Sequence, residues 1–138
     1  MSKPDQPTGY FDEQSGQWLL ASAWVCELSD GRALLVHPMA RSDGASIPRI
    51  LWPFVGPRFA ATTFPAAFCH DMLYMAELVT RSQADREFMR LLLMFGVSGI
   101  KARLYWLAVR GFGGFVWARH TPDTIAEAQM FAELIPAD

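Results

Sequence analysis

The middle of the chain holds a stretch in which regular secondary structure is not expected. Residues 39–57 contain three prolines and two glycines, with a turn signal at Asp43-Gly44. Short apolar segments precede this stretch, and longer helical patterns follow it. The sequence therefore predicts an α+β fold: a small N-terminal antiparallel β-sheet, a long shaped loop, and a helical C-terminal half.

Turn signals at residues 15–16 and 30–31 separate the apolar segments before the loop. They predict two or three antiparallel strands that end near His37. The mostly polar residues 1–9 are predicted to form a flexible arm, and residues 10–138 a single domain.

Four helices are predicted after the loop. The first is capped by Thr62 or Thr63 and ends near Leu78, and the second runs from Ser82 to Phe95 before Gly96. A third covers residues 100–109 and is broken by the glycines at 111, 113 and 114. A short fourth helix follows residues 121–122 and carries an apolar side that extends to residue 134.

Composition excludes several classes of protein. With 51% hydrophobic and 19% charged residues the chain is too apolar for disorder, and a net charge of −2 gives no drive towards nucleic acid. The longest charge-free apolar run in the later half, residues 91–100, is too short to span a membrane. No secretory signal pattern opens the chain, and Cys26 and Cys69 are expected to be unbridged, so a reducing location is predicted.

One polar cluster interrupts the first long helix. His70, Asp71 and Tyr74 lie within one turn of each other, and Asp85 is the one acid on an apolar stripe of the next helix. Together these groups are typical of a site. Taken singly they have plainer explanations, because an acid such as Asp85 also favours a helix start.

The loop carries a second set of polar residues. Asp43 beside Gly44 offers carboxylate and carbonyl oxygens, which suit a hard cation such as calcium. Ser46 is a candidate nucleophile if His70 serves as its base. The alternative is that Asp43 and Ser46 bond only to the backbone of their own loop.

Four segments together resemble one known family. The sequence reads Ser-Asp-Gly-Ala-Ser-Ile-Pro-Arg from residue 42, Ala-Phe-Cys-His-Asp-Met-Leu-Tyr from residue 67, Ala-Asp-Arg-Glu-Phe from residue 84, and Tyr-Trp-Leu-Ala-Val-Arg from residue 105. This order resembles the phage and prophage-associated family DUF1353 over about residues 18–117. The resemblance implies a phage context, with the host cytoplasm or the virion as location, rather than a particular reaction.

A more distant resemblance concerns chemistry. The order of an Asp-Gly-x-Ser loop, a His-Asp-x-x-Tyr helix and an Asp-x-x-Phe helix is similar to bacterial and fungal secreted phospholipases A2. The resemblance implies that His70 is the general base for a water molecule and that Asp85 orients it. It also implies that Asp71 and Asp43 bind calcium with a carbonyl near Gly44, and that Tyr74 supports the site.

Two features depart from the phospholipase pattern. The cysteines that join loop and helix in those enzymes fall at Ala45 and Ala67, and the loss of both is coherent with a reducing cytoplasm. In addition, two full-length helices would place Asp85 about 9 Å along the axis from the level of His70. Asp85 reaches His70 only if the first helix ends early or the pair is offset.

Residues 101–120 contain four arginine or lysine residues, several aromatic residues and no acid. Such a segment suits an anionic phospholipid surface, although core packing with solvated cations is the commoner explanation. Two hypotheses of function follow. One is a calcium-dependent ester hydrolase of the phospholipase A2 type, and the other is a non-enzymatic phage tail or assembly component that contacts other phage proteins.

Overall fold

The computed structural model describes residues 4–42 and 60–136. These residues form an α+β fold, as predicted, with antiparallel strands and four helices. The strands are β1 (Gly9–Asp12), β2 (Gln17–Leu20), β3 (Trp24–Glu27), β4 (Ala33–Val36), β5 (Arg41–Ser42) and β6 (Ala132–Ile135); the helices are α1 (Phe64–Met75), α2 (Arg81–Met94), α3 (Gly99–Ala118) and α4 (Pro122–Gln129).

The strands form two sheets rather than the single sheet predicted. One has the order β1-β2-β5 and the other β3-β4-β6. In the first sheet Leu19 pairs with Arg41 and Trp18 with Ser42, which brings the start of the central loop beside β2. Residue 9, placed in the arm by sequence, belongs to β1, and the Asp5 carbonyl accepts a hydrogen bond of 2.7 Å from Trp24 Nε1.

The C-terminal strand is a second departure from the sequence prediction. Leu134 was expected on the apolar side of the last helix, but that helix ends at Gln129 and Leu134 pairs with Leu34 of β4. Burial of Ala132 accompanies this pairing. Because the partner strand lies about a hundred residues away in sequence, local periodicity gave no sign of it.

Helix α1 ends three residues before the predicted position. Leu78 N donates to Leu73 O (3.2 Å) and Glu77 N to Tyr74 O (3.2 Å), the hydrogen bonds of a Schellman motif. Glu77 adopts the left-handed conformation, with φ of 47°, that usually selects glycine. The helix therefore ends without a glycine to signal it.

Helix α2 begins one residue earlier than expected and ends as predicted. Its N-cap is Thr80, whose hydroxyl accepts from Gln83 N, rather than Ser82. At the other end Gly96 takes a φ of 93° directly after the C-cap residue Phe95. This end is the one that the sequence signals, because a glycine occupies the left-handed position.

Helix α3 runs unbroken through the glycines that were expected to end it. A Cβ at Gly113 would overlap the hydroxyl oxygen of Tyr74 on α1. Gly111, in contrast, has open space around it. Gly113 therefore allows α3 to approach Tyr74 closely, and its role is packing rather than termination.

The core lies between the second sheet and helices α1–α3, with Phe68, Leu73, Leu91 and Tyr105 among its fully or almost fully buried side chains. Cys26 and Cys69 are both buried and free, as predicted. The pKa of the Cys69 thiol is raised well above its usual value, because its hydrogen bond with Cys26 and its burial both disfavour the thiolate. In the described ranges, no helix has the length and apolarity to cross a membrane.

Candidate active site

The two motif helices join their key residues directly. His70 Nε2 of α1 lies 2.7 Å from Asp85 Oδ1 of α2. His70 is 8% exposed and Asp85 is fully buried. Asp85 reaches His70 because α1 ends at Met75, so the condition of two full-length helices, which would separate their levels by about 9 Å, is not met.

Asp85 also contacts a residue that sequence reasoning did not assign to the site. Its Oδ2 accepts a hydrogen bond of 2.9 Å from Arg110 Nη1 on α3. A buried carboxylate needs a counter-charge or several donors, and Arg110 and His70 supply them. The sequence signal for Arg110 was its place in the last family motif, but nothing there linked it to Asp85.

The contact with Asp85 defines which nitrogen carries the proton when the His70 ring is neutral. An ionised carboxylate only accepts hydrogen bonds, so we assign the proton to Nε2 as the donor. Nδ1 then carries the lone pair, and no described residue makes a hydrogen bond to it. His70 also lines a cavity, so its geometry is that of a base held by an acid and open to a ligand.

Tyr74 packs against His70 with ring centroids 4.7 Å apart. Its hydroxyl accepts a hydrogen bond of 2.7 Å from Arg81 Nε. Burial raises the pKa of Tyr74, against the opposing effect of the Arg81 hydrogen bond. Arg81 also donates from Nη2 to the carbonyls of Val109 (3.2 Å) and Arg110 (2.6 Å), so it joins Tyr74 to α3.

Asp71 faces the start of the central loop. Its Oδ2 accepts a hydrogen bond of 3.0 Å from Ser42 Oγ, the last residue of β5. The predicted partners Asp43, Gly44 and Ser46 lie outside the described residues, so their proximity to His70 and Asp71 stays a prediction. Within the described residues, no group of three histidine, cysteine or acidic side chains is placed to hold a metal ion.

A cavity of about 360 Å³ brings these groups together. Its polar wall includes His70, Asp71 and Tyr74, and the described residues that line the rest of it are Gln17, Arg41, Ser42, Ala67, Met75, Phe88, Val109, Phe112, Gly113 and Val116. Ligand sites are concave and mostly apolar with a few placed polar groups, and this cavity has that character.

Two other histidines have carboxylate partners and do not line the cavity. His120 Nδ1 lies 2.8 Å from Glu77 Oε2, with only 5% of the histidine side chain exposed. His37 Nε2 lies 3.7 Å from Glu133 at the surface. No role is predicted for either histidine from the sequence, and their positions provide natural controls for His70.

Fold and site define a small α+β protein with a buried histidine–aspartate pair whose histidine lines a cavity. Residues 18–109 match the family described as "Protein of unknown function (DUF1353)", and the chain belongs to this family.

Two relatives come from Sinorhizobium fredii (strain NBRC 101917 / NGR234). Uncharacterized protein y4jT is 33% identical over 132 residues, which cover 93% of this chain and 36% of the relative. Uncharacterized protein y4iH is 37% identical over 73 residues, 53% of this chain and 30% of the relative. The chain spans about a third of the length of these curated relatives. No solved structure matches it.

Proposed function

We propose that this DUF1353 protein is an ester hydrolase of the phospholipase A2 type, in which His70 activates a water molecule. The 2.7 Å contact between His70 Nε2 and Asp85 Oδ1 on a cavity wall carries the proposal. A catalytic base needs access to its water and a group that orients it. His70 has both, since it lines the cavity and bonds to Asp85.

The proposed reaction uses the free nitrogen of His70. Nδ1 takes a proton from water as the water oxygen attacks the ester carbonyl, and then gives that proton to the leaving alkoxide. Asp85 orients the ring and stabilises the imidazolium, while Arg110 supports the charge of Asp85 in the interior. Tyr74 packs on the ring and limits its rotation.

We propose calcium as the cofactor. Asp71 and Asp43, with a carbonyl near Gly44, would hold the ion, and carboxylate and carbonyl oxygens are its preferred ligands. Asp71 fits this use because a carboxylate that accepts from Ser42 retains further lone pairs. When bound, calcium would polarise the ester carbonyl and stabilise the oxyanion.

Ser46 offers an alternative nucleophile for the same base. The two routes differ in their intermediate, because attack by Ser46 leaves an acyl group on its hydroxyl whereas attack by water does not. Mass spectrometry of the quenched reaction distinguishes them. An acyl adduct on Ser46 would replace water as the attacking group and leave the role of His70 unchanged.

A non-enzymatic phage component is the second candidate, and one observation favours it. Both carboxylates already bind protein side chains, Asp71 to Ser42 and Asp85 to Arg110. These contacts join β5 to α1 and α2 to α3. In this alternative the polar cluster stabilises the fold, and the surface contacts other phage proteins.

The test uses purified protein on mixed phospholipid vesicles with calcium or with a chelator, and measures fatty acid release. Wild type is expected to release fatty acid only with calcium. Asp71→Asn should lose calcium affinity and activity together, because a charged ligand of a hard cation is removed. If wild type neither binds calcium in the millimolar range nor releases fatty acid, and Asp71→Asn only lowers stability, the phage-component alternative replaces the enzyme.

A further inference from the structure

The cavity next to His70 has two walls of different character. We use the name polar wall for the polar lining residues, which include Arg41 and Asp71 as well as His70 and Tyr74, and apolar wall for the lining residues of α3, which include Phe112 and Val116. His70 lines the same cavity. A ligand that contacts both walls must itself be amphiphilic.

Arg41 is the cationic side chain of the polar wall among the described lining residues. It is exposed, and it makes no ion pair within 4.0 Å with any described residue, including Asp71 in the same cavity. The pairing of β5 with β2 holds its backbone in place. An arginine so placed is available to bind an anionic group of a ligand.

The apolar wall continues from the cavity to the surface. Phe112 and Val116 line the cavity and are also 54% and 47% exposed, and Phe115 between them is 68% exposed. Positions 112, 115 and 116 share one face of α3. A ligand chain longer than the cavity therefore meets apolar side chains along its exit.

We propose that the ligand of this cavity is an amphiphile with an acyl chain and an anionic head group, bound as a single molecule. Arg41 binds the head group, and the α3 wall around Phe112 binds the chain. This inference rests on the proposed function for the statement that the ligand is an ester, since that function places the ester next to His70. The binding of head group and chain does not depend on hydrolysis.

The test measures binding of two monomeric probes by calorimetry: decyl phosphate and the uncharged decyl glycerol ether. Neither contains an acyl ester. Wild type should bind decyl phosphate about tenfold or more tightly than the ether, as expected for one charge-assisted contact. Arg41→Gln should abolish this preference and Arg41→Lys retain part of it. Arg119→Gln, which changes a cation outside the cavity lining, should leave it unchanged.

Two further measurements test the apolar wall and the source of the anion. Phe112→Asn should weaken binding of both probes equally, and inorganic phosphate alone should bind more weakly than decyl phosphate by about tenfold or more. Unfolding curves of each variant show whether the fold is retained. Arg41 is exposed, so its variants are expected to fold.

The outcomes that overturn the inference are specific. Equal binding of both probes to wild type, or a preference that survives in Arg41→Gln, removes the role of Arg41. Binding to anionic vesicles with none to monomers assigns the apolar face to a membrane surface instead. If the probes bind as expected and no ester is hydrolysed, the proposed function alone fails. If esters are hydrolysed with no preference for an anionic head group, this inference alone fails.

Discussion

Two buried carboxylates lie two residues apart on α2, and they face opposite sides of the helix. Asp85 is fully buried and Glu87 is 2% exposed, and each forms a salt bridge with an arginine, Arg110 and Arg90 respectively. The two residues are therefore nearly equivalent in side-chain chemistry, in burial and in having an arginine partner. Their other partners differ.

Glu87 is enclosed by structural partners. It accepts hydrogen bonds from the amide (3.1 Å) and the hydroxyl of Ser29, and from Arg90 Nε at 2.7 Å. Arg90 also donates to the Glu27 carbonyl at 2.8 Å. These contacts attach the β3-β4 hairpin to α2. Glu87 does not line the cavity beside Asp71, so its environment predicts stability alone.

Asp85 differs from Glu87 because one of its partners, His70, lines a cavity. His70 Nε2 donates a hydrogen bond to Asp85 Oδ1, and His70 lines the 360 Å³ cavity beside Asp71. Burial and ion pairing alone therefore do not distinguish a candidate catalytic acid from a structural one. The distinction is that His70, the partner of Asp85, lines a cavity, whereas the partners of Glu87 do not.

The largest expected effect is on the rate of ester hydrolysis when His70, the cavity-lining partner of Asp85, is replaced. His70→Asn should reduce ester hydrolysis by about 10²–10⁴-fold, because the amide cannot act as the base. The matched control is His120→Asn, since His120 is equally buried and carboxylate-bound but does not line the cavity. Initial rates of fatty acid release, with melting temperatures alongside, measure both. A similar loss of rate in both variants would break the comparison.

The two carboxylates themselves provide the next test. Asp85→Asn and Glu87→Gln should each lower the free energy of unfolding by about 3 kcal/mol, because each breaks a buried ion pair. Only Asp85→Asn should also reduce the rate, by about 10²-fold, when activity is measured well below the melting temperature. Denaturant unfolding and rate assays give the two quantities. Loss of rate in Glu87→Gln would make the two sides of α2 equivalent.

Two glycines on α3 allow a test of how closely this helix packs on Tyr74. Gly113→Ala should destabilise the protein by about 1–3 kcal/mol, because the new methyl group overlaps the Tyr74 hydroxyl. Gly111→Ala, with open space around it, should stabilise α3 by about 0.5–1 kcal/mol through helix propensity. Thermal unfolding distinguishes them by the sign of the change. Equal effects would show that α3 does not pack on Tyr74.

The smallest effect concerns alkaline pH on the cavity side. Because burial raises the pKa of Tyr74, the folded protein holds the phenol proton more tightly than the unfolded chain does. The resulting stability is present below about pH 10 and is lost as pH rises through the folded pKa. Tyr74→Phe should therefore show a shallower fall in unfolding free energy between about pH 9 and 11. An unchanged slope in Tyr74→Phe would contradict a contribution of this phenol to the pH dependence.

The sequence predicted the local parts of this arrangement. Gly96 marked the end of α2 because glycine occupies the left-handed position there, whereas Glu77 takes the same conformation at the end of α1 without any such mark. The sequence therefore left open whether α1 ends early enough for Asp85 to reach His70. Helical spacing grouped the polar residues of the two motif helices, whereas the roles predicted for them came from the resemblance to phospholipases A2.

Tertiary contacts determine the other features of the fold and the site, and local sequence patterns do not predict such contacts. Arg110 of α3 binds Asp85, which lies 25 residues earlier in the chain. Arg81 donates to the Tyr74 hydroxyl and also to the Arg110 carbonyl, 29 residues later, so it joins Tyr74 to α3. Local propensity predicts that Gly113 helps to end α3, because it takes no account of the close contact between Gly113 and Tyr74 on another helix. The pairing of β6 with β4 is non-local in the same way.

The early end of α1 has a consequence for how this family can vary in length. Residues 76–80 join α1 to α2 and set the level at which His70 meets Asp85. One added residue there would turn α2 by about 100° relative to α1, or push it about 1.5 Å along its axis. The β1-β2 turn has no such role within the described part of the chain, because residues 13–16 lie on the surface and their hydrogen bonds there stay within their own hairpin. Insertions and deletions should therefore accumulate at residues 13–16 among relatives and be absent from residues 76–80.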